Sequence, residues 1–218
     1  MVSVVGLALL ETFNVVPSLA SHRLYFQNAG FKTRAQSMLP RAAAVTKGVD
    51  IVANYPIATN GFGQFDLTLA ANFNTIDVKK APITDELAAL DPAPELFGRV
   101  NTLRFEKVTP KDKITATVKW NMERFGATLR GVRYHKVLSA GTTPANDFDL
   151  SAKWVVDLEG RFDVTDNLRA SLGVDNVFDT YPTRTPGSQN GTTATPFSDL
   201  APFGRNGRQI YGRVSLTF

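Results

Sequence analysis

The sequence predicts an all-β fold: an antiparallel transmembrane β-barrel segment of about eight strands, part of a larger barrel, with long outer loops and short periplasmic turns. Three observations predict it. Most segments between glycines and prolines alternate apolar and polar residues with period two. Some of these segments are longer than the usual strand of about 5–6 residues. Their connections are short at one end and long at the other.

The predicted strands follow one another from a first apolar stretch near residues 2–12. Each later strand has an apolar face made of alternate residues, with polar residues between them. In chain order these faces are Val49, Ile51, Ala53, Tyr55 and Ile57; Phe65, Leu67, Leu69, Ala71 and Phe73; Ile114, Ala116, Val118, Trp120 and Met122; Phe125, Ala127 and Leu129; Leu150, Ala152, Trp154, Val156, Leu158, Gly160, Phe162 and Val164; Leu168, Ala170, Leu172, Val174 and Phe178; and Ile210, Gly212, Val214, Leu216 and Phe218.

Two segments decide how the alternation is interpreted. From Leu150 to Val164 the pattern keeps its phase, which predicts one strand too long for an ordinary soluble sheet. Near residues 125–135 the phase slips, because Leu129 gives way to Val132 and Tyr134. A bulge, or a strand that leaves the membrane, would explain the slip.

The strand lengths suit a bilayer. Phe65 and Phe73 share a face, as do Trp154 and Phe162, at the same spacing. At about 3.3 Å per residue each pair spans roughly 26 Å along the strand. With a tilt of about 40° this covers roughly 20 Å of depth, close to the height of the apolar band between two aromatic girdles.

The connections also sort by length. Those near residues 58–63, 121–125 and 165–167 are tight. Those near 14–44, 81–111, 140–149 and 180–206 are long and rich in Pro, Gly, Thr or Asn. Short turns on one side and long loops on the other are typical of outer-membrane barrels. Alternation alone still leaves open a self-closed small barrel, an arc of a large barrel and a soluble sandwich.

Composition argues against several classes of function. The chain has no cysteine, which removes disulfides, thiol catalysis and zinc–thiolate sites. The net charge is +4 without a basic tract, so nucleic-acid binding is not expected. The two histidines, His22 and His135, have no catalytic partner in a recognisable motif. We therefore expect no enzyme activity, no cofactor and no metal site.

Two stretches near the C-terminus carry a family resemblance. Residues 162–179, FDVTDNLRASLGVDNVFD, and residues 202–218, PFGRNGRQIYGRVSLTF, resemble the penultimate hairpin and the final strand of TonB-dependent outer-membrane receptors. Lys47-Gly48-Val49-Asp50-Ile51 is similar to the start of an inner strand of that family. In this pattern residues 165–167 form a tight turn, and Asn176 and Asp179 end a strand at the outer rim.

The resemblance implies that residues 1–218 are the C-terminal portion of such a barrel, without the plug domain. A parent of this family has about twenty-two strands and imports a scarce ligand, such as a ferric siderophore, vitamin or saccharide. The expected location is the bacterial outer membrane, and the expected partners are its lipid and the barrel assembly machinery. The TonB system would act only through the missing plug, and the small-molecule ligand is unknown. The assembly signal would comprise Ile210, Gly212, Val214, Leu216 and Phe218.

The sequence offers one candidate ligand surface and one candidate inner wall. The loop 180–206 is the expected place of ligand contact, through Phe197, Phe203 and Arg205. The charged face of the strands could contact a plug or a ligand, but a solvated or mutually paired wall is the preferred interpretation. Its residues are Lys153, Asp157, Glu159, Arg161, Asp163, Arg169, Asp175 and Arg213.

Two rival functions make distinct structural predictions. A small self-contained barrel with a structural or adhesive role requires its first strand, near residues 2–12, to pair with its last. A soluble β-rich binding domain requires Trp154, Leu172 and Leu216 to meet in a dry core.

Overall fold

The protein is built on one open antiparallel sheet. The structure, a computed structural model, describes residues 3–15, 43–79, 88–93, 98–187 and 196–218. Eight strands form the sheet in the order β1-β2-β3-β4-β5-β8-β9-β10. Their bounds are β1 Ser3–Val15, β2 Ala43–Thr59, β3 Gly63–Lys79, β4 Asp112–Met122, β5 Phe125–Tyr134, β8 Lys153–Asp163, β9 Leu168–Asp175 and β10 Gln209–Leu216. The prediction of about eight antiparallel strands is confirmed.

The sheet does not close on itself. Among the described strands β1 pairs with β2 and β10 pairs with β9, and no register joins β1 to β10. The rival prediction of a small self-closed barrel is therefore wrong. Two open edges would leave backbone groups unpaired in lipid, so such a sheet fits one arc of a larger closed wall.

The two faces of the sheet are chemically distinct. The apolar face carries the predicted alternate residues of β2 to β5 and β8 to β10, and the polar face carries those between them. Trp154, Leu172 and Leu216 on the apolar face are 49%, 65% and 56% exposed. They do not meet in a dry centre, so the soluble-domain alternative is wrong. An exposed apolar face of this extent marks a surface that contacts lipid or another protein.

Tight turns join the strands at what we call the short-turn end. Residues 60–62 link β2 to β3, residues 123–124 link β4 to β5, and residues 164–167 link β8 to β9. Gly63 has a φ of +81°, and a side chain there would meet the Asn121 carbonyl at 2.2 Å. In the last turn the Thr165 hydroxyl accepts hydrogen bonds from the backbone of Asn167 and Leu168, at 3.3 and 3.0 Å. The three predicted turns are confirmed.

The predicted long strand from Leu150 to Val164 is in fact two elements. β8 begins at Lys153, and Leu150 ends a separate strand, β7 Phe148–Leu150, which pairs with β6 Val137–Ser139. Leu150 is only 2% exposed, because it packs inside this small hairpin. The alternation of apolar and polar residues continues through the connection between β7 and β8. Periodicity alone therefore could not show where the strand of the large sheet begins.

The phase slip near residues 125–135 does not mark a bulge. β5 pairs with β4 and β8 without a shift of register. Val132 and Tyr134 lie on the polar face, and Arg133 on the apolar face is opposite Trp154. The expected bulge is thus wrong, and the other explanation, a strand that leaves the apolar zone, agrees with the register. A similar change occurs in β3, where Ile76 and Val78 lie on the polar face beyond Phe73.

The long connections gather at the opposite end, which we call the long-loop end. There the chain forms helix α1 Arg99–Lys107, the β6–β7 hairpin and a 3-10 turn, Pro144–Asn146. Glu106 of α1 accepts a 3.0 Å hydrogen bond from the backbone of Val78, so the helix caps the free edge of β3. In the described part of the chain no helix is long and apolar enough to cross a membrane.

Candidate functional site

The polar face is a wall of mutually paired side chains. Near the short-turn end Arg161 donates to Asp163 at 2.8 Å and to Asn121 at 2.6 Å. Arg169 donates to the same Asp163 carboxylate at 2.5 Å. One acidic group thus joins arginines from β8 and β9, which agrees with the expected paired wall.

Farther along the wall a tyrosine lies flat across a glycine. The ring of Tyr211 covers Gly173, where an added Cβ would lie 2.3 Å from the ring. Its hydroxyl donates to Glu159 at 2.8 Å. Only a glycine lets the ring approach the backbone of β9 and reach across to β8, so three strands are joined by one side chain.

The base of the last long loop is fixed to the wall by Asp157 and Asn176. Arg130 donates to Asp157 at 2.7 and 3.0 Å, and Asp157 accepts the backbone N–H of Asn176 at 2.9 Å. Asn176 is 7% exposed, has a φ of +54°, and exchanges two 2.8 Å hydrogen bonds with the backbone of Thr180. Asparagine tolerates this left-handed conformation, so the predicted strand end at Asn176 is confirmed.

An arginine clamp joins two other long loops. Arg99, at the start of α1, donates to the Gly141 carbonyl at 2.7 Å and to both oxygens of Asp147 at 3.1 and 2.5 Å. Asp147 also accepts the Gly141 N–H at 2.8 Å. The adjoining hairpin buries Val137 and Leu150 to 1% and 2% exposure. The loops after β3 and β5 therefore form one folded unit.

Electrostatics strengthen the clamp. The hydrogen bond from Arg99, followed by that from the Gly141 backbone, lowers the pKa of Asp147 below its ordinary value. The same contact raises the pKa of Arg99. Both groups lie in the long loops and outside the strands, so ordinary aqueous titration applies to them.

The predicted ligand-contact residues lie at the long-loop end with aromatic partners. Phe203 stacks on Tyr134 of β5 with ring centroids 5.5 Å apart, and Phe197 stacks on Tyr181 at the same distance. Arg205 donates to Asp199 at 2.8 Å and to the Phe197 carbonyl at 3.5 Å. The three predicted residues thus lie at the same end of the sheet. Their ring stacking and hydrogen bonds also stabilise the loop that contains them.

Two lysines of the polar face lie beside Tyr134 of this loop base. The Lys113 ammonium lies 5.4 Å from the centre of the Tyr134 ring, and Lys153 is opposite Tyr134 in the register. We call the group Lys113, Tyr134, Lys153, Phe203 and Arg205 the mouth cluster. Its arginine, lysines and rings are suited to bind anionic or planar chemical groups.

The predicted assembly-signal residues lie at the free edge of the sheet. Ile210, Gly212, Val214 and Leu216 share the apolar face of β10, and the large side chains among them are exposed. Phe218 follows the end of β10 and is fully exposed. Thr217 is still held by a 2.9 Å hydrogen bond from its N–H to the Asn167 carbonyl.

Several contacts were not predicted from the sequence. The Arg99–Asp147 clamp joins residues far apart in sequence with no pattern to link them. His135 contacts Asp112 on the apolar face, and His22 lies outside the described residues. No group of three or more His, Cys, Asp or Glu side chains able to hold a metal occurs in the described ranges.

Comparison with known proteins identifies the fold family. A sequence profile described as TonB dependent receptor-like, beta-barrel, matches residues 12–177. No curated protein sequence matches the chain significantly. The profile covers most of the chain, including residues 47–51 and 162–177 of the resemblance, and ends before the last strand.

Solved structures are similar in fold. The pyoverdine outer membrane receptor FpvA from Pseudomonas aeruginosa, bound to pyoverdine, is 17% identical with a TM-score of 0.50, over 82% of this chain and 22% of that one. A ferric enterobactin receptor (PfeA) mutant of the same organism is 15% identical with a TM-score of 0.42, over 81% and 31%. The chain thus spans about a fifth to a third of these receptors. On the profile match and the open two-faced sheet, the chain belongs to the TonB-dependent receptor β-barrel family.

Proposed function

We propose that this chain forms the C-terminal arc of the barrel wall of an outer-membrane receptor that imports a scarce ligand with energy from TonB. Residues 1–218 would supply wall, long loops and assembly signal, while a plug domain would come from another part of the full receptor. Members of this family are receptors and transporters and not enzymes. The ligand class would be a ferric siderophore, a vitamin or a saccharide.

One observation carries the proposal: the sheet has one exposed apolar face and one hydrogen-bonded polar face. Leu69, Leu129, Leu158 and Leu172 on the apolar face are all exposed, although leucine is normally buried in water-soluble proteins. The polar face at the same depth carries paired side chains such as Glu159 and Tyr211. This arrangement supports a wall between lipid and an aqueous or plugged interior.

Location and assembly partners follow from the same faces. The apolar face would contact outer-membrane lipid. The barrel assembly machinery would read Ile210, Gly212, Val214, Leu216 and Phe218 on the exposed edge strand. TonB would act on the plug and not on this wall. The exposure of these side chains and the open edge of β10 support these assignments.

The mouth cluster is the proposed place of ligand contact, together with Phe197. Loops at this end would meet ligand from the outside, and the cluster combines aromatic rings with cations. Because the structure of FpvA was solved with pyoverdine bound, ferripyoverdine is the first probe to try. Ferric enterobactin, a vitamin and a saccharide form the rest of the panel.

The test is uptake by cells whose only receptor for the probe is the full-length protein containing this chain. We expect energy-dependent uptake of one probe, its loss when TonB is absent, and recovery of the receptor in the outer-membrane fraction. Tyr134→Ala and Phe203→Ala should each weaken uptake, whereas Phe178→Ala, an exposed phenylalanine outside the cluster, should not. Recovery in the aqueous fraction, or uptake of no probe in the panel, would contradict the proposal.

A further inference from the structure

The apolar face ends at a common row of polar and charged residues. In β4 the outward residues from Met122 to Ile114 are apolar, and the next one is Asp112. In β5 those from Phe125 to Gly131 are apolar or glycine, and the next one is Arg133. The register pairs Arg133 with Ile114, and Asp112 is the next residue of β4 on the same face. Arg133 and Asp112 are therefore diagonal neighbours at the long-loop end of the wall. A sharp transition on adjacent strands indicates the edge of a lipid layer.

At this edge an arginine and a histidine side chain flank one carboxylate. Arg133 contacts one oxygen of Asp112 through Nη1, and Nδ1 of His135 lies 2.5 Å from the other oxygen. This second contact does not have the geometry of a hydrogen bond. The backbone N–H of His135 donates to the Asp112 carbonyl at 3.1 Å, which fixes the group at the end of β5.

A tryptophan lies beside this group on the same face. Trp154 is the register partner of Arg133, and its ring lies 3.5 Å from the place of a Cβ on Gly131. The indole is therefore flat on the wall and half exposed. From Phe125 to Arg133 the strand rises roughly 26 Å at about 3.3 Å per residue. A tilt of about 40° places Arg133 close to the upper edge of an apolar band roughly 25 Å tall.

Arg133 retains unused hydrogen-bonding capacity at this depth. A guanidinium has five N–H donors, and the acceptor it reaches within the described part of the chain is Asp112. Its side chain is 30% exposed, so the remaining donors are accessible from the lipid side. Donors at the edge of a bilayer need an acceptor, and phosphate accepts bidentate hydrogen bonds from arginine.

We propose that Arg133, with Trp154, forms a binding site for the phosphate group of an outer-leaflet lipid. Asp112 orients the guanidinium through Nη1 and leaves the other donors for the phosphate. The half-exposed indole of Trp154 packs on the glycerol or sugar region below the phosphate, as interfacial tryptophans do. This inference rests on the proposed membrane location of the wall.

The test measures lipid retained by the detergent-purified full-length protein in native mass spectrometry, with short-chain phosphatidic acid as the probe. We expect Arg133→Gln to weaken binding at least fivefold and Arg133→Lys to weaken it less. The control Lys119→Gln removes a cation from the polar face of β4 and should leave binding unchanged. Equal binding by Arg133→Gln and the unchanged protein would overturn the site.

A second arm separates the lipid from free phosphate. Inorganic phosphate at the same concentration should not displace the lipid, because it lacks the chain that packs against Trp154. Displacement by inorganic phosphate would overturn the assignment to lipid. Failure of the protein to enter detergent would instead contradict the proposed function, so the two failures are distinguishable. The migration of folded protein on an unheated gel verifies that each variant has formed a barrel.

Discussion

Long side chains of the polar face lie along the wall and cross glycines of the neighbouring strand. Tyr211 covers Gly173, and Arg161 covers Gly126, where a Cβ would lie 2.3 Å from the arginine Nε. Each side chain then finds its partner on another strand, Glu159 for Tyr211 and Asn121 for Arg161. A glycine on one strand and a long polar side chain on the next thus act as a pair. The sequence showed the glycines, but not which side chain would fill each space.

This pairing predicts a stability difference between two glycines. Gly173→Ala should push the Tyr211 ring away, break its bond to Glu159 and destabilise the protein by about 1–3 kcal/mol. Gly160→Ala is the matched control, since a Cβ there meets nothing within 4 Å. Its effect should stay within about 0.5 kcal/mol. Urea unfolding of the protein in lipid vesicles measures both. Equal losses in the two variants would show that the ring does not depend on the glycine.

The Asp147 carboxylate predicts how loop order depends on pH. Its pKa is lowered in the folded loop, so the ionised form is favoured by folding. The clamp to Arg99 should therefore hold at any pH above the ordinary aspartate value of about 4. It should weaken only as the pH falls through the lowered pKa and the carboxylate is protonated.

Hydrogen exchange of residues 135–152 measures this effect. Each reading is compared with Asp147→Asn at the same pH, which cancels the intrinsic pH dependence of exchange. Protection above that of the variant should be constant near neutrality and vanish in acid. The ordinary aspartate pKa lies about one to three units below the range from pH 7 to pH 5. Loss of the protection within that range would therefore contradict the role assigned to Asp147.

At the scale of the element, alternation predicted strands well where all side chains of one face are in the same kind of environment. β2, β3, β4, β9 and β10 carry the expected faces in unbroken registers. The prediction failed where loop residues happened to continue the alternation, as at Leu150, and where side chains of a strand meet loops, as at Tyr134. In both places tertiary contacts, which period two does not encode, decide the structure.

The faces of β5 predict opposite outcomes for neighbouring residues. Leu129 lies on the apolar face midway between Phe125 and Arg133, and Thr128 lies beside it on the polar face. Leu129→Arg should destabilise the protein in lipid vesicles by about 2–4 kcal/mol, because it places a cation at the middle of the bilayer. Thr128→Arg, close to Glu159, should cost much less. Equal unfolding free energies would argue against lipid on the apolar face.

The last strand predicts an assembly phenotype. Deleting Phe218 from the full-length receptor should lower the amount inserted in the outer membrane, because an exposed aromatic residue after β10 would be read during assembly. Thr217→Ala, which keeps its backbone hydrogen bond to Asn167, is the control and should insert normally. Quantitative blotting of outer-membrane fractions measures both. Normal insertion after the deletion would remove Phe218 from the signal.

For the molecule as a whole, the sequence predicted the two faces of the sheet better than the site. Exposed leucines on one face and paired charges on the other agree with the predicted two-sided wall. The mouth cluster was only partly predicted, since Phe203 and Arg205 were expected but their partners Tyr134 and Asp199 were not. Loops at one end are brought together by the antiparallel pairing of the strands. Their contacts are therefore set by the fold and not by local sequence.

The absence of cysteine from the chain gives a direct test of the whole arrangement. Single cysteines at Leu69, Val156 and Leu172 probe the apolar face, and single cysteines at Thr68, Asp157 and Ser171 probe the polar face. In membranes a lipid-soluble maleimide should label the first set, and a charged maleimide should label only the second. Val156→Cys and Ser171→Cys are the most informative, because neither substitution breaks a side-chain hydrogen bond or ion pair within the described residues, and the two positions lie on opposite faces of paired strands. If both sets reacted equally with the charged reagent, both faces would lie in water. The open sheet would then need a protein partner for its apolar face, and a transport role for the wall would fail.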